Sequence, residues 1–502
     1  MLIFITSIKG IVCSQSLVRF NRTYPYVNKC IDRGASSLLL KDSFVYTLGW
    51  GAGINKSDAM YFTKHQSNGD TILQKVYRTD SLEYYIAING GTFFQNDSSI
   101  IAAGAFYNHH NGVDAMIIKF KLNGDTVWIK TYGDTAFYEN IESCIQLPNG
   151  DIYAVGECDS NNATYAQYYL LKFDSNGNLK WTKNWGRGGW GHYLLNIAQA
   201  ADGNLILGGQ YYEWDVHASN YLARSTVHKV DTGGNIIWYN EYKKANDLFG
   251  TYIIPQKDSS IICLSEHDTT TYNPNPLRLG LNWFAKIDKN GNKKWDFTQI
   301  AYVYNHFASP PILLPNGGFV MCSSTVDTSK ANGNQIGAIS KYDKNCNEKW
   351  FRPIWHNPTD FGFFYAGAVA TDGSIFAAGS AANFDSPPKQ EMWLVHVDSM
   401  GCLVGGCDTI KDIGIGISSF PTNHSPLSLY PNPANQSIVI SQQSLVNTIE
   451  VTNVLGQKMK AAITPLSTYD LRLTTDDYPS GIYFLKVTDE KGFQQVAKFI
   501  KE

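Results

Sequence analysis

No stretch of this sequence approaches the ~18 consecutive apolar residues that a bilayer-spanning helix requires. No long run of Lys or Arg occurs, and the formal net charge is −3, so the electrostatic footprint of a nucleic-acid partner is missing. Only 17% of residues are charged. The nine cysteines contain no CxxC pair with zinc spacing. Neither GxSxG nor HExxH is present, which excludes the serine-hydrolase elbow and the zinc-protease helix. His109 and His110 are adjacent in an Asn-rich loop, and neighbours on an extended chain face opposite ways, so they read as a solvated pair rather than joint ligands. No metal and no cofactor is expected.

What the sequence has in excess is glycine and aromatic residues: 43 Gly, 30 Tyr, 25 Phe and 12 Trp. That composition favours sheets joined by tight turns. The first residues, MLIFITSIKGIVCS (1–14), begin with a short apolar run broken by Lys9, and Val12 and Ser14 suit a signal peptidase cutting before Gln15. No basic residue precedes that run. Cys263 and Cys322 fall in apolar strand patterns and read as buried thiols. Cys402 and Cys407 stand beside glycines and could close a small loop, which an exported protein permits.

Internal repetition decides the architecture. The phrases KFKLNGDTVW, KFDSNGNLKW, KVDTGGNIIW, KIDKNGNKKW and KYDKNCNEKW recur, with degenerate copies KHQSNGDTIL and HVDSMGCLVG. The turn glycine falls at Gly69, Gly124, Gly177, Gly234, Gly291 and Gly401, with Cys346 in its place in one copy. Four positions on stand Trp128, Trp181, Trp238, Trp295 and Trp350. Five positions before stand Lys64, Lys119, Lys172, Lys229, Lys286 and Lys341, with His396 in the last copy. A second hairpin phrase, as in QLPNGDIYAVG or ATDGSIFAAG, interleaves with the first, also seven times.

Each ~55-residue unit therefore holds two hairpins, hence strands A, B, C and D. Seven such units fill the stretch 15–410 and predict a seven-bladed β-propeller. The Trp opening strand D should fill the wedge between blades, a burial of roughly 2–3 kcal/mol. The repeated Lys should lay its stem over apolar surface with its ammonium in water. LVRFNRTY (17–24) resembles the strand D phrases, while the last repeat loses its Trp. Residues 17–24 are thus expected to supply the outer strand of the last blade and close the ring.

The D-x-x-G-x-x-x-W phrase resembles the tryptophan-docking motif of quinoprotein (PQQ) dehydrogenase propellers. The turn here is one residue shorter, and no adjacent-Cys pair accompanies it. The resemblance implies a similar blade without the cofactor. The Asp of each DxNGN turn reads as a turn cap rather than a calcium ligand.

The B–C and D–A connections are longer and more variable than the A–B and C–D turns, so their face is the candidate for binding. Three of its loops are aromatic. They carry Trp185, Trp190 and His192, then Tyr212 and Trp214, then Trp355 and His356. Aromatics beside polar groups suit sugar stacking, and the alternative is that they pack the loops onto the rim. No catalytic residue is assigned. A catalytic site would show paired carboxylates projecting into one pocket of this face, within ~5–10 Å. A binding module would show aromatic platforms without them.

Residues 411–426 read as a Gly-, Ser- and Pro-containing linker, and several short strands from 427 to 502 predict a small β-sandwich. LYPNPANQ, TNVLGQKM, YPSGIYFLKV and AKFIK appear there in order. They carry Tyr430, Pro431, Asn432, Pro433, Gly456, Gly481, Tyr483 and Lys498. This tail resembles the type A sorting domain of the type IX secretion system of Bacteroidetes. The resemblance implies recognition by that secretion machinery, passage across the outer membrane, and either attachment at the cell surface or release. The expected protein is a secreted or surface-held β-propeller acting as a binding or adhesion module for a glycan or other polymer. A secreted polysaccharide hydrolase or lyase is the alternative.

Overall fold

The computed structural model describes residues 18–502 except 25–30, 53–57, 78–81, 88–89, 96–97, 109–111, 134–136, 160–164, 187–190, 216–219, 243–247, 269–279, 301–308, 327–334, 357–360, 384–388, 405–427, 442–445, 454–456, 468–469 and 490–493. The expected signal peptide and the linker lie outside the described residues. The chain divides into two compact units, Met1–Ile410 and Lys411–Glu502.

The first unit is a seven-bladed β-propeller: among the described residues, seven antiparallel sheets, six of them with strands in the chain order A, B, C, D and the seventh with A, B, C followed by the N-terminal strand. The third blade is representative, with A Glu139–Gln146, B Ile152–Cys158, C Gln167–Phe173 and D Leu179–Trp185. In the second blade strand A is split into Leu82–Ile86 and Thr92–Gln95, both pairing with Ser99–Asn108. The middle strands are apolar on both faces: Ile152–Cys158 is buried at every position. Such strands need cover on each side. They find it at the seams, where seven hydrophobic clusters each join the residues of two adjacent blades.

The repeated phrase has one mechanical meaning. The strand D tryptophan of one blade lies on the C–D turn glycine of the next. A Cβ built on Gly177 would fall 2.4 Å from Trp128, and one on Gly234 2.8 Å from Trp181. Gly291 meets Trp238 and Gly401 meets Trp350 in the same way. These turn positions have positive φ, from 75° to 91° at the glycines and 63° at Cys346, a region that favours glycine. Cys346 is buried in the cluster against which Trp295 packs. The turn Asp does cap its hairpin: Asp174 Oδ1 accepts from the backbone N–H groups of Asn176 and Asn178.

The repeated lysine departs from expectation. In three blades its ammonium is paired with the Asp of the A–B turn of the same blade: Lys172 with Asp151 at 2.9 Å, Lys229 with Asp202 at 2.5 Å, Lys286 with Asp258 at 3.1 Å, while Lys64 lies over the Phe44 ring. Strand C carries the Lys beside the A–B turn, so the two turns at that end of the blade are tied together.

The ring closes as expected. Phe20–Tyr24 pairs antiparallel with strand C of the seventh blade, with Phe20 opposite His396 and Tyr24 opposite Met392. Phe20 also stands in the tryptophan's place, 3.0 Å from the Cβ that Gly69 of the first blade would carry. Two buried histidines flank this clasp. His65 lies 4.6 Å from the Tyr24 ring. His396 stacks on Phe376 at 3.9 Å and donates from Nδ1 to the Val18 carbonyl at 2.9 Å. Burial holds the His65 imidazole down to about 4, against a weaker pull upward from the Gly69 backbone. Burial lowers His396 too, with Arg19 adding to the effect and Asp372 and Asp398 opposing it. Both rings are neutral in the fold and titrate nearer 6.5 once unfolded. Their contribution is complete above ~6.5 and is lost as pH falls, at up to ~1.4 kcal/mol per pH unit for each ring. The melting temperature should fall steadily between pH 6.5 and 4.5. A His65→Gln/His396→Gln variant should show a flatter profile, and an unchanged slope would refute this assignment.

The second unit has two four-stranded sheets. One is ordered Ser428–Tyr430, Ser437–Ser441, Asp470–Thr474, Ala462–Pro465, and the other Lys458–Met459, Val446–Asn453, Gly481–Asp489, Gln494–Lys501. Ile438, Ile440, Leu473, Leu485 and Phe499 form its core, all fully buried.

Candidate functional site

The B–C and D–A face carries a polar cluster at the start of the innermost strand of the third blade. Asn140 pairs with Glu157 of strand B and Ile141 with Gly156. A bulge then places one extra residue, Glu142, before Ser143 meets Val155. Bulges re-aim side chains. Here Ile141 and Ser143 are buried, while Asn140 and Glu142 are half-buried. Gly156 permits the close approach, because a Cβ there would stand 1.9 Å from the Asn140 carbonyl oxygen.

The Asn140 amide nitrogen donates to both carboxyl groups, to Glu142 Oε1 at 2.6 Å and to Glu157 Oε1 at 3.1 Å. The two oxygens are therefore no more than about 6 Å apart. Glu157 is 5% exposed. Burial pushes its carboxyl well above the usual carboxylate range, and the Glu142 charge pushes further, against the Asn140 hydrogen bond. Burial also raises Asp159. Tyr138 is raised by burial, then by the charges of Glu157 and Glu142.

Two cavities open beside this cluster and share Tyr138. One, of about 410 Å³, is lined by Trp50, Tyr85, Ile86, Ala87, Ala105, Tyr107, Val113, Tyr138, Asn140 and Glu142. The other, of about 640 Å³, is lined by Tyr138, Glu157, Asp159, Tyr165, Ala166, Gly191, Tyr193, Tyr212 and Tyr221. Between them these two adjoining cavities draw on the first four blades and are walled, among the described residues, by one Trp and seven Tyr. Trp50 and Tyr85 meet at 4.5 Å between ring centres, and Tyr193 and Tyr212 at 5.8 Å. Among the described residues the lining contains Glu142, Glu157 and Asp159 and neither Lys nor Arg. Among the described residues no group of three or more His, Cys, Asp or Glu gathers to hold a metal.

The loop aromatics named from sequence separate into three groups. Tyr212 lines the larger cavity, and Trp214 is exposed with its ring 5.0 Å from that of Tyr221. Trp185 and His192 lie in the seam between the third and fourth blades. His192 is buried with its ring 4.8 Å from Tyr168, and Trp185 Nε1 donates to His228 Nδ1. Trp355 and His356 stand beside the clasp: the Trp355 carbonyl accepts from Asn21, and the His356 ring lies 6.3 Å from Trp393. Trp190 lies outside the described residues. Sequence reasoning missed Asn140, Glu142, Glu157 and the tyrosines around them. A signal existed in IYAVGEC, where a carboxylate follows an otherwise apolar strand.

In the tail, the Asn432 amide donates to the Lys498 carbonyl at 3.0 Å and its oxygen accepts from the Ile500 N–H at 2.9 Å, which clamps the segment 431–433 to the last strand. Pro431 and Pro433 flank that residue, each after a cis peptide bond. Tyr430 and Lys498 are exposed. Tyr483 is buried, stacks on Phe499 at 5.4 Å and donates to the Pro479 carbonyl. Gly481 opens its strand with room for a Cβ, its nearest neighbours standing at 3.9 Å. Gly456 lies outside the described residues. Cys402 is disulfide-bonded; Cys407 lies outside the described residues.

Residues 428–502 match the family described as the secretion system C-terminal sorting domain. The tail is thus a type IX secretion sorting domain behind a propeller, and it marks the protein for export out of the cell. None of the curated proteins matches the chain. Among solved structures, an ulvan lyase of a new polysaccharide lyase family aligns at 10% identity and TM-score 0.45, over 77% of this chain and 96% of that one. A point mutant of the Synechocystis apocarotenoid oxygenase aligns at 13% and 0.44, over 76% and 92%. The WD40 domain of Neurospora crassa Pan2 aligns at 10% and 0.42, over 72% and 89%. Each is a likeness of fold at low identity.

Proposed function

We propose that this protein is delivered by its sorting tail to the outside of the cell, at the surface or released from it, and there binds an uncharged glycan chain along the tyrosine-walled cleft. The observation that carries this reading is the composition of the wall. Eight aromatic rings, drawn from four blades, line two cavities that meet at Tyr138, and sugar rings present apolar faces that such side chains cover while hydroxyls find polar partners. The acid side chains, with no cation among the described lining residues, weigh against sulfated or uronic polymers, which would meet like charge.

The test is a glycan array followed by calorimetry on the full chain. Neutral oligosaccharides should bind, and sulfated or uronic ones should not. Tyr193→Ala/Tyr212→Ala should weaken binding about tenfold, from the loss of two stacking rings at ~0.5–1.5 kcal/mol each. Trp355→Ala, at the clasp, should leave affinity unchanged. Equal loss in both variants, or preference for anionic chains, would overturn the assignment.

A further inference from the structure

We propose that the cleft also hydrolyses the glycan it holds, with Glu157 as proton donor and Glu142 as the carboxylate that attacks the anomeric carbon. This rests on the glycan-binding reading of the same site.

Two independent observations lead here. The first is the pairing: one amide holds the two carboxyl groups on its two N–H bonds and fixes their separation. The shared donor bounds the distance between the two Oε1 atoms at about 6 Å. That bound lies nearer the about 5–5.5 Å of double displacement than the about 6.5–9.5 Å of direct attack by water. The second is the open oxygen. Glu157 Oε1 is engaged by Asn140, while its other oxygen, Oε2, is buried with no hydrogen-bond partner among the described residues, and the residue lines the larger cavity. A buried, unpaired anionic oxygen is costly. A protonated one is a donor waiting for an acceptor, and a glycosidic oxygen is such an acceptor. The environments of the two groups differ as an acid and its partner require. Glu157 is 5% exposed, and burial together with the Glu142 charge favours its protonated form. Glu142 is half-buried on the side of the other cavity. Tyr138, common to both cavities, marks where the scissile bond lies.

The chemistry balances with water alone. Glu157 gives its proton to the glycosidic oxygen as the bond from that oxygen to the anomeric carbon breaks, and the bonding pair leaves with the oxygen. A Glu142 oxygen forms an ester to the anomeric carbon. Water, losing a proton to the Glu157 carboxylate, then displaces Glu142. The products are two shorter sugars, the new reducing end keeps the original anomeric configuration, and Glu157 is again protonated.

The experiment incubates the full chain with end-labelled cello-, xylo-, laminari-, manno- and N-acetylchito-hexaose, with binding and products followed separately. The expected result is binding of at least one, with products of retained configuration by NMR. Glu157→Gln and Glu142→Gln should each lose about 10³-fold in turnover while binding within about threefold of the parent. If one variant fails to fold, judged by its melting curve, the other decides. Binding without products from the parent chain, products of inverted configuration, or undiminished turnover in a folded variant would overturn the catalytic proposal and leave the binding reading standing. No binding at all would overturn both.

Discussion

Deleting residues 18–24 should open the ring and drive the propeller to self-associate. The segment holds both sides of one seam. Its backbone pairs with Met392–His396 of the seventh blade. Its side chains reach the first: Phe20 against Gly69, the Arg22 guanidinium on Asp70 at 2.9 Å, and the Tyr24 hydroxyl on the Gly69 carbonyl at 2.6 Å. Asn21 ties in the neighbouring strand ends, accepting from Trp393 Nε1 and donating to the Trp355 carbonyl, both at 2.6 Å. Phe20 alone is 6% exposed within the cluster that joins the two blades. Phe20→Ala should cost about 3–5 kcal/mol, by loss of burial and the cavity left behind, and lower the melting temperature by at least ~5 °C. The deletion should cost more. It also bares strand C of the seventh blade, whose free N–H and C=O groups would template pairing with a second copy. Scanning calorimetry and size-exclusion chromatography check both effects. A deletion variant that stays monomeric and melts with the parent would show that the ring does not depend on this clasp. Val18→Ala, at a 58% exposed position, serves as the control.

Removing residues 428–502 should abolish export without disturbing the propeller. The tail is a compact unit with its own core and is the segment that matches the sorting family. In a host with type IX machinery, the extracellular and surface fractions should fall at least tenfold, with the protein accumulating inside, as immunoblots of the fractions would show. The melting transition of the propeller should not move. A single change should do nearly as much: Phe499 is fully buried beneath Tyr483, and Phe499→Ala at about 3–5 kcal/mol removes most of the stability that a domain of this size can hold. Undiminished secretion of the truncated chain would refute the assignment.

How much of this was legible depends on whether the information repeats. The Trp, the turn glycine and the turn Asp recur at the same register in most of the seven copies, so a fault in one copy is corrected by the others, and Cys346 is recognisable as a glycine substitute. The clasp was legible for the same reason: FNRTY fits a phrase already seen elsewhere. The repeated lysine was misread because its partner, the A–B turn Asp, is not adjacent in sequence, being 21 to 28 positions away at Asp151, Asp202 and Asp258. The loop aromatics showed the limit of composition. Trp185 and His192 are as aromatic as Tyr212, yet they fill a seam, because the direction a ring faces at a strand end depends on register. The tail motifs were legible as a set, and the structure adds why Asn432 belongs to it: its amide holds the chain end in place.

The sequence by itself determined the number of blades, the strand order within each, the closure of the ring and the address carried by the tail. Each of these follows from local periodicity, since one hairpin, one turn cap and one docking ring are encoded within a single unit. Only the tertiary structure decided where chemistry can occur. A bulge at Glu142 and a missing Cβ at Gly156 bring Asn140, Glu142 and Glu157 together, and the curvature of the ring sets tyrosines of neighbouring blades around them. A site assembled from the inner strands of several blades has no period, so no repeat in the chain announces it.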